Sequence, residues 1–191
     1  MKIDPDLIVA EAFALMEEDG LDQLSLRRLA SRFSVKAPAF YWHVAGKAEL
    51  LRLMTEAIYR EALQATPRRG DWRQWLLDFG HAFRRAMLRR RDAARLLAIA
   101  APSRPGHPER IATLVTEPLG ANGLDGGHAL SFHSAVIALT LGWALYEDGG
   151  MHEFLSQQFD FDRAFGQSLA AMVAGFDPES PLPAASSTDR S

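Results

Sequence analysis

The sequence predicts an all-α protein: an N-terminal three-helix head that ends in a helix-turn-helix, followed by a larger helical body. Two observations carry this. Apolar residues recur at helical spacing along most of the chain, with almost no alternating stretch of the kind a half-buried strand requires. Capping residues punctuate these stripes, with Asp4 before Pro5, Ser25 before Leu26 and Gly20 between them. The head is expected over residues 1–46, the body over 47–176 and a disordered tail over 177–191.

The opening helix takes Asp4 as its cap and Pro5 as its first residue, where a missing N–H removes no intrahelical bond. It buries Ile8, Ala12, Leu15 and Met16 before Gly20 ends it, and Leu21 and Leu24 close the small core of the head. A first motif helix opens at Ser25 and places Leu26, Leu29, Ala30 and Phe33 on one side, with Arg27, Arg28 and Arg32 elsewhere. The second begins near Lys36, carries Pro38 in its first turn, and brings Phe40, Tyr41, Trp42 and His43 within one further turn. So short a helix cannot fold alone and must be displayed on its neighbours. Phe40 and part of Trp42 are expected to be buried, with Tyr41 turned outward. A longer helix from Lys47 to about Ala65, with Leu50, Leu51, Met54, Ile58 and Leu63, runs from the head into the body.

After a break over residues 66–70, a helix from Asp71 carries Trp72, Trp75, Leu76, Phe79, Phe83 and Met87 on one core-facing stripe. Its end is basic: Arg84, Arg85, Arg89, Arg90, Arg91 and Arg95 read either as a solvated helix end, well placed in the helix dipole, or as a second contact to nucleic acid. The prolines and glycine of residues 102–108 interrupt the helices, and another is expected over 108–119. From His128 to Tyr146 the chain is apolar nearly all round, which implies burial on more than one side; Asp125, Glu147, Asp148 and the polar interruptions argue against a membrane span. With a last helix near residues 161–176, this segment is expected to form a four-helix bundle with a second copy of the chain.

Charge is distributed unevenly along the head. Acids dominate before the motif, whereas between Gln23 and Lys47 there are Arg27, Arg28, Arg32, Lys36 and Lys47 and no Asp or Glu. A local basic patch suits a phosphate backbone. The net charge of −3 rules out general polyanion binding by the rest of the molecule.

The stretch LRRLASRFSVKAPAFYWHV, followed by Lys47 and an apolar helix, resembles the N-terminal domain of the TetR family of transcriptional regulators, in the branch nearest the tetracycline repressors. Its most distinctive mark is the triplet Tyr41, Trp42, His43, and the resemblance covers about the first 60 residues well. It implies that Ser25 and Arg27 face DNA from the first motif helix, with Arg27 reaching a base edge. It implies further that Lys36, Ala37, Pro38 and Ala39 face the major groove, and that Tyr41, Trp42, His43 and Lys47 hold phosphates. Ala37 and Ala39 stand where tetracycline-type repressors carry polar readers. Alanines can touch thymine methyls but cannot hydrogen-bond, which leaves Arg27 and Lys36 to read guanine and predicts a different operator.

The expected function is therefore a ligand-responsive transcriptional regulator, a repressor released from a palindromic operator by a small apolar or aromatic inducer; a DNA-binding protein without an inducer is the alternative. One reading head makes too few base contacts for genomic selectivity, so a homodimer is expected. Trp75, Phe79, Phe83, Met87, Leu97, Phe132, Trp143 and Tyr146 are candidates to line a cavity, although plain core packing is the better reading of any one of them, with His81, His107 or His133 as a polar handle. Leu97 stands where the resemblance would place a drug-binding histidine, so no metal-bound drug, metal or cofactor is expected. The chain has no cysteine, hence no disulfide or thiol nucleophile; with no signal peptide recognised near Asp4, Asp6 and Glu11, a cytoplasmic location is expected. An enzyme is the remaining class, but His128 and His133 point apart on a helix, and no phosphate loop or nucleophile motif is present.

Overall fold

A computed structural model describes residues 4–33, 44–67, 70–100 and 108–182. Among these residues every regular element is helical. The head contains α1 (Pro5–Asp19), a 3-10 turn (Leu21–Gln23) and α2 (Leu26–Arg32). The body contains α3 (Lys47–Ala65), α4 (Trp72–Leu88), α5 (Ala93–Ile99), α6 (Pro108–Ala121), α7 (Gly126–Asp148), α8 (His152–Leu155) and α9 (Phe161–Ala174).

The helix starts follow the capping chemistry. Asp4, Ser25, Asp71, Asp125 and Asp160 each accept a hydrogen bond from an amide in the first turn of the helix they precede, satisfying donors that have no intrahelical partner. Gly20 ends α1 at φ 82, a left-handed conformation that favours glycine. Pro118 lies inside α6.

One contiguous core runs from head to body. Ile8, Ala12, Leu15 and Met16 of α1 meet Leu26 and Leu29 of α2 and the stripe Leu50, Met54 and Ile58 of α3. Further along, α3 packs on α4, α4 on α7, and α9 on both α4 and α7. Gly80 of α4 makes that last packing close, because a Cβ there would lie 2.7 Å from a Leu169 methyl and 3.3 Å from Val136.

Two features bear on α7 and the C-terminal segment. Within this chain α7 is buried along a single stripe (Ala129, Phe132, His133, Val136, Thr140 and Ala144), while Leu130 and Tyr146 are exposed. By length and composition alone α7 could cross a membrane, and 33% of its most apolar window is buried inside the chain. After Asp177 the described residues stay against the body as far as Leu182: His128 Nε2 lies 2.9 Å from the Ser180 carbonyl, and Leu182 reaches Gly127 at the start of α7.

Candidate functional site

In the head, acids on α1 restrain two of the motif arginines. The Arg28 guanidinium pairs with Asp19 and reaches the Gln23 carbonyl at 3.4 Å; Arg32 pairs with Glu18 and with Glu11. Arg27 is exposed and has no hydrogen-bond or ion-pair partner among the described residues. Ser25 caps α2, its hydroxyl accepting from the Arg28 amide at 3.3 Å. Lys47 is exposed in the first turn of α3, a helix whose N-terminus has no side-chain cap. A cation there opposes the helix dipole, so the free amides and the ammonium together favour an anion between them. The expected contacts Lys36, Ala37, Pro38, Ala39, Tyr41, Trp42 and His43 lie outside the described residues, as does the expected burial of Phe40.

In the body, some of the candidate pocket residues form one aromatic cluster. Phe79 is stacked between Trp75 (5.4 Å between centroids) and Phe83 (5.5 Å), and lies 4.6 Å from the His133 ring. Tyr59 of α3 joins them, its hydroxyl hydrogen-bonded to His133 Nε2 at 2.8 Å. Met87 is buried further along α4 and Leu97 is half-buried on α5. Phe132 stacks instead on Phe176 at 4.3 Å, and Trp143 packs against Phe159, Phe161 and Phe165. Tyr146 is 53% exposed and stands apart from this cluster. The reason is rotational: Trp143 and Tyr146 stand off the buried stripe of α7. His81 packs edge-on against Phe165, and His107 lies outside the described residues.

Burial pushes the His133 imidazole down to about 4 and the Tyr59 hydroxyl up, so both are neutral at physiological pH. The folded chain then binds fewer protons at His133 than the unfolded chain, whose value is 6.5. This contribution is fully present above pH 6.5 and is lost as the pH falls toward 4. Lowering the pH from 7 to 5 should remove about 2 kcal/mol through this group. The check is urea unfolding at both pH values, in which His133→Leu should lose correspondingly less than the parent chain.

Head and body are clasped at the corner between α4 and α5. Asp92 sits there at φ 58, a left-handed conformation that is uncommon for a residue with a side chain. Instead of capping α5, its carboxylate accepts from the Leu21 amide of the head at 2.9 Å and from Arg95 at 3.0 Å. Burial alone would raise the Asp92 pKa, but these donors carry it below the usual carboxylate range. Beside it the Arg91 amide donates to Glu17 at 2.7 Å, and Arg95 pairs with Asp22 at 3.1 Å. A Cβ on Gly20 would meet Arg91 at 3.2 Å and Asp92 at 3.3 Å, so glycine lets the corner close. An open, charged cleft of about 310 Å³ adjoins this contact, with Glu17, Arg90, Arg91, Glu147 and Asp148 among its lining.

Most of the basic run is paired with acids, while Arg85 stays exposed. Arg84 is buried in a pair with Glu147 and Asp162, Arg89 and Arg90 pair with Glu61, and Arg91 and Arg95 hold the head.

A family model described as bacterial regulatory proteins, tetR family, matches residues 8–54. The tetracycline repressor protein class A from transposon 1721 of Escherichia coli is 33% identical over 184 residues, covering 94% of this chain and 84% of its own length. This chain belongs to the TetR family. Among solved structures, TetR from Acinetobacter baumannii AYE matches at a TM-score of 0.72 and 30% identity, over 92% of this chain and 97% of that one. A class A TetR in complex with 5a,6-anhydrotetracycline and magnesium matches at a TM-score of 0.70 and 31% identity, over 91% and 97%.

As a TetR-family member the chain is a ligand-responsive DNA-binding regulator of transcription and not an enzyme. Among the described residues no group of three His, Asp or Glu side chains is placed to hold a metal ion. Sequence reasoning missed Tyr59 and the clasp. The clasp had a signal in the opposite signs of Glu17 and Asp22 in the head and Arg91 and Arg95 in the body. Tyr59 had only its place one residue after Ile58 on the α3 stripe.

Proposed function

We propose that this TetR-family regulator is a cytoplasmic homodimeric repressor that reads a palindromic operator through paired heads (residues 1–46) and is released when a small apolar or aromatic effector enters its body (47–176). The observation that carries the DNA-reading part is that Arg27 is exposed and has no partner among the described residues, where Arg28 and Arg32 are tied to α1. Lys36 is the second reader; Ser25, Ala37, Pro38 and Ala39 face the groove, and Tyr41, Trp42, His43 and Lys47 hold phosphates. The relatives solved with anhydrotetracycline and with minocycline support an effector site in the body, and the aromatic cluster supports an apolar one. The uncovered apolar side of α7, together with α9, supports pairing with a second copy.

The test is a gel shift on the promoter region of its own locus over a series of salt concentrations. Arg27→Ala should weaken binding by about 1–3 kcal/mol and relax the preference at one base pair in each half-site. Lys47→Ala should weaken binding to all sequences alike and reduce the salt slope by roughly 1 for each phosphate that the lysine neutralises. Unchanged affinity in both variants would reject the assignment of the head. The dense stacking of Trp75, Phe79 and Phe83 favours a second reading, a regulator with a filled body and no effector. Calorimetry separates the two, since a filled body takes up no aromatic compound.

A further inference from the structure

The body buries one polar pair inside its aromatic cluster. The Tyr59 hydroxyl and His133 Nε2 meet at 2.8 Å, ringed by Trp75, Phe79 and Phe83, and His133 is only 3% exposed. Burial alone accounts for the shifts of both groups, each toward its neutral form, so the pair offers no countercharge to an ion. One turn before Tyr59 on the same face of α3, Thr55 Oγ1 is buried without a hydrogen-bond partner among the described residues. The bond also joins α3, whose Leu50, Met54 and Ile58 pack against the head, to α7.

These facts restrict what can enter. A charged molecule would lose its hydration and gain no opposite charge. A pure hydrocarbon that parted the pair would leave a buried hydroxyl and a buried imidazole unsatisfied, which is costly. A neutral molecule with a hydroxyl or carbonyl group avoids the ionic loss and keeps His133 bonded, because its oxygen can replace that of Tyr59; only the Tyr59 hydroxyl is left to find a new partner. A second polar group could satisfy Thr55.

We propose that the effector is an uncharged aromatic compound bearing a hydroxyl or carbonyl group, which takes the place of Tyr59 on His133 and so releases α3 from α7. This rests on the effector site proposed above. Tyr59 is then the internal competitor of the effector, and His133 its specificity-determining partner.

The experiment is calorimetric titration of the full chain at pH 7 with 2-naphthol, naphthalene and 2-naphthoate, which share a ring system and differ in polar group and charge. The parent chain should bind 2-naphthol about tenfold more tightly than either of the others. Tyr59→Phe removes the competitor and should tighten 2-naphthol binding further. His133→Leu should bring 2-naphthol and naphthalene to equal affinity. Should His133→Leu fail to fold, the double variant Tyr59→Phe with His133→Leu, which strands neither polar group, gives the same comparison. Binding of all three compounds with equal affinity leaves the apolar effector site standing and overturns this inference. So does a 2-naphthol preference that survives loss of His133, or weaker 2-naphthol binding in Tyr59→Phe. If none of the compounds binds the parent chain, the effector site itself is rejected and the inference with it.

Discussion

Arg84→Met should destabilise the folded chain by about 3–5 kcal/mol, the cost of leaving a buried charge without its partner. Arg84 Nε and one terminal nitrogen bind the two carboxylate oxygens of Glu147, both at 2.7 Å, with the two side chains 8% and 9% exposed. Methionine can follow the path of the arginine stem over the Phe165 ring, which lies 5.0 Å from the guanidinium carbon. It cannot answer the Glu147 carboxylate, which stays enclosed between α4 and α7. The second acid, Asp162, is 86% exposed, and water satisfies it when the arginine is gone. Replacing both members of the buried pair, Arg84→Met with Glu147→Leu, should recover most of the loss, since well-packed apolar groups often replace a buried ion pair at no cost. The measurement is urea unfolding at one fixed protein concentration, because any dimer makes stability concentration-dependent. A single variant within about 1 kcal/mol of the parent would contradict this account.

Phe79→Ala should cost a similar amount, about 3–5 kcal/mol, for a different reason. Phe79 is fully buried, and its ring touches Trp75, Phe83, Tyr59 and His133 at once, so truncation empties the middle of the stack. The neighbours cannot collapse inward without parting the Tyr59 and His133 bond. Phe79→Leu keeps most of the volume and should lose about half as much or less. Naphthalene should raise the melting temperature of Phe79→Ala more than that of the parent, because a dry apolar cavity of ring size admits an aromatic guest. A midpoint of urea unfolding shared by Phe79→Ala and the parent would mean that Phe79 is not the centre of this cluster.

Much of the fold was legible because local chemistry dictates it. Asp4 with Pro5, Gly20, and Ser25 bound the head helices where the caps predict, and the stripes Ile8–Ala12–Leu15–Met16 and Trp75–Leu76–Phe79–Phe83–Met87 are buried. The misread residues depend on partners remote in sequence. Arg84 sits within a run of arginines, and only Glu147, 63 residues away, makes it a core residue; its neighbour Arg85 stays exposed. Trp143 and Tyr146 look like pocket residues because α7 is apolar on every side. In such a helix composition does not reveal which stripe faces inward, and here Ala129, Val136 and Ala144 do. Asp92 was invisible for a related reason: it looks like an ordinary helix cap, and its carboxylate is used 71 residues away at Leu21.

That use of Asp92 bears on how such regulators can be recombined. A chimera that grafts residues 1–46 of this chain onto another trunk leaves α1 without the Leu50, Met54 and Ile58 stripe, and Glu17, the Leu21 amide and Asp22 without their mates. The recognition module is not a portable cassette. A swap that preserves its seating must carry the Arg91, Asp92 and Arg95 corner along with it, so the unit that seats the head is discontinuous in sequence.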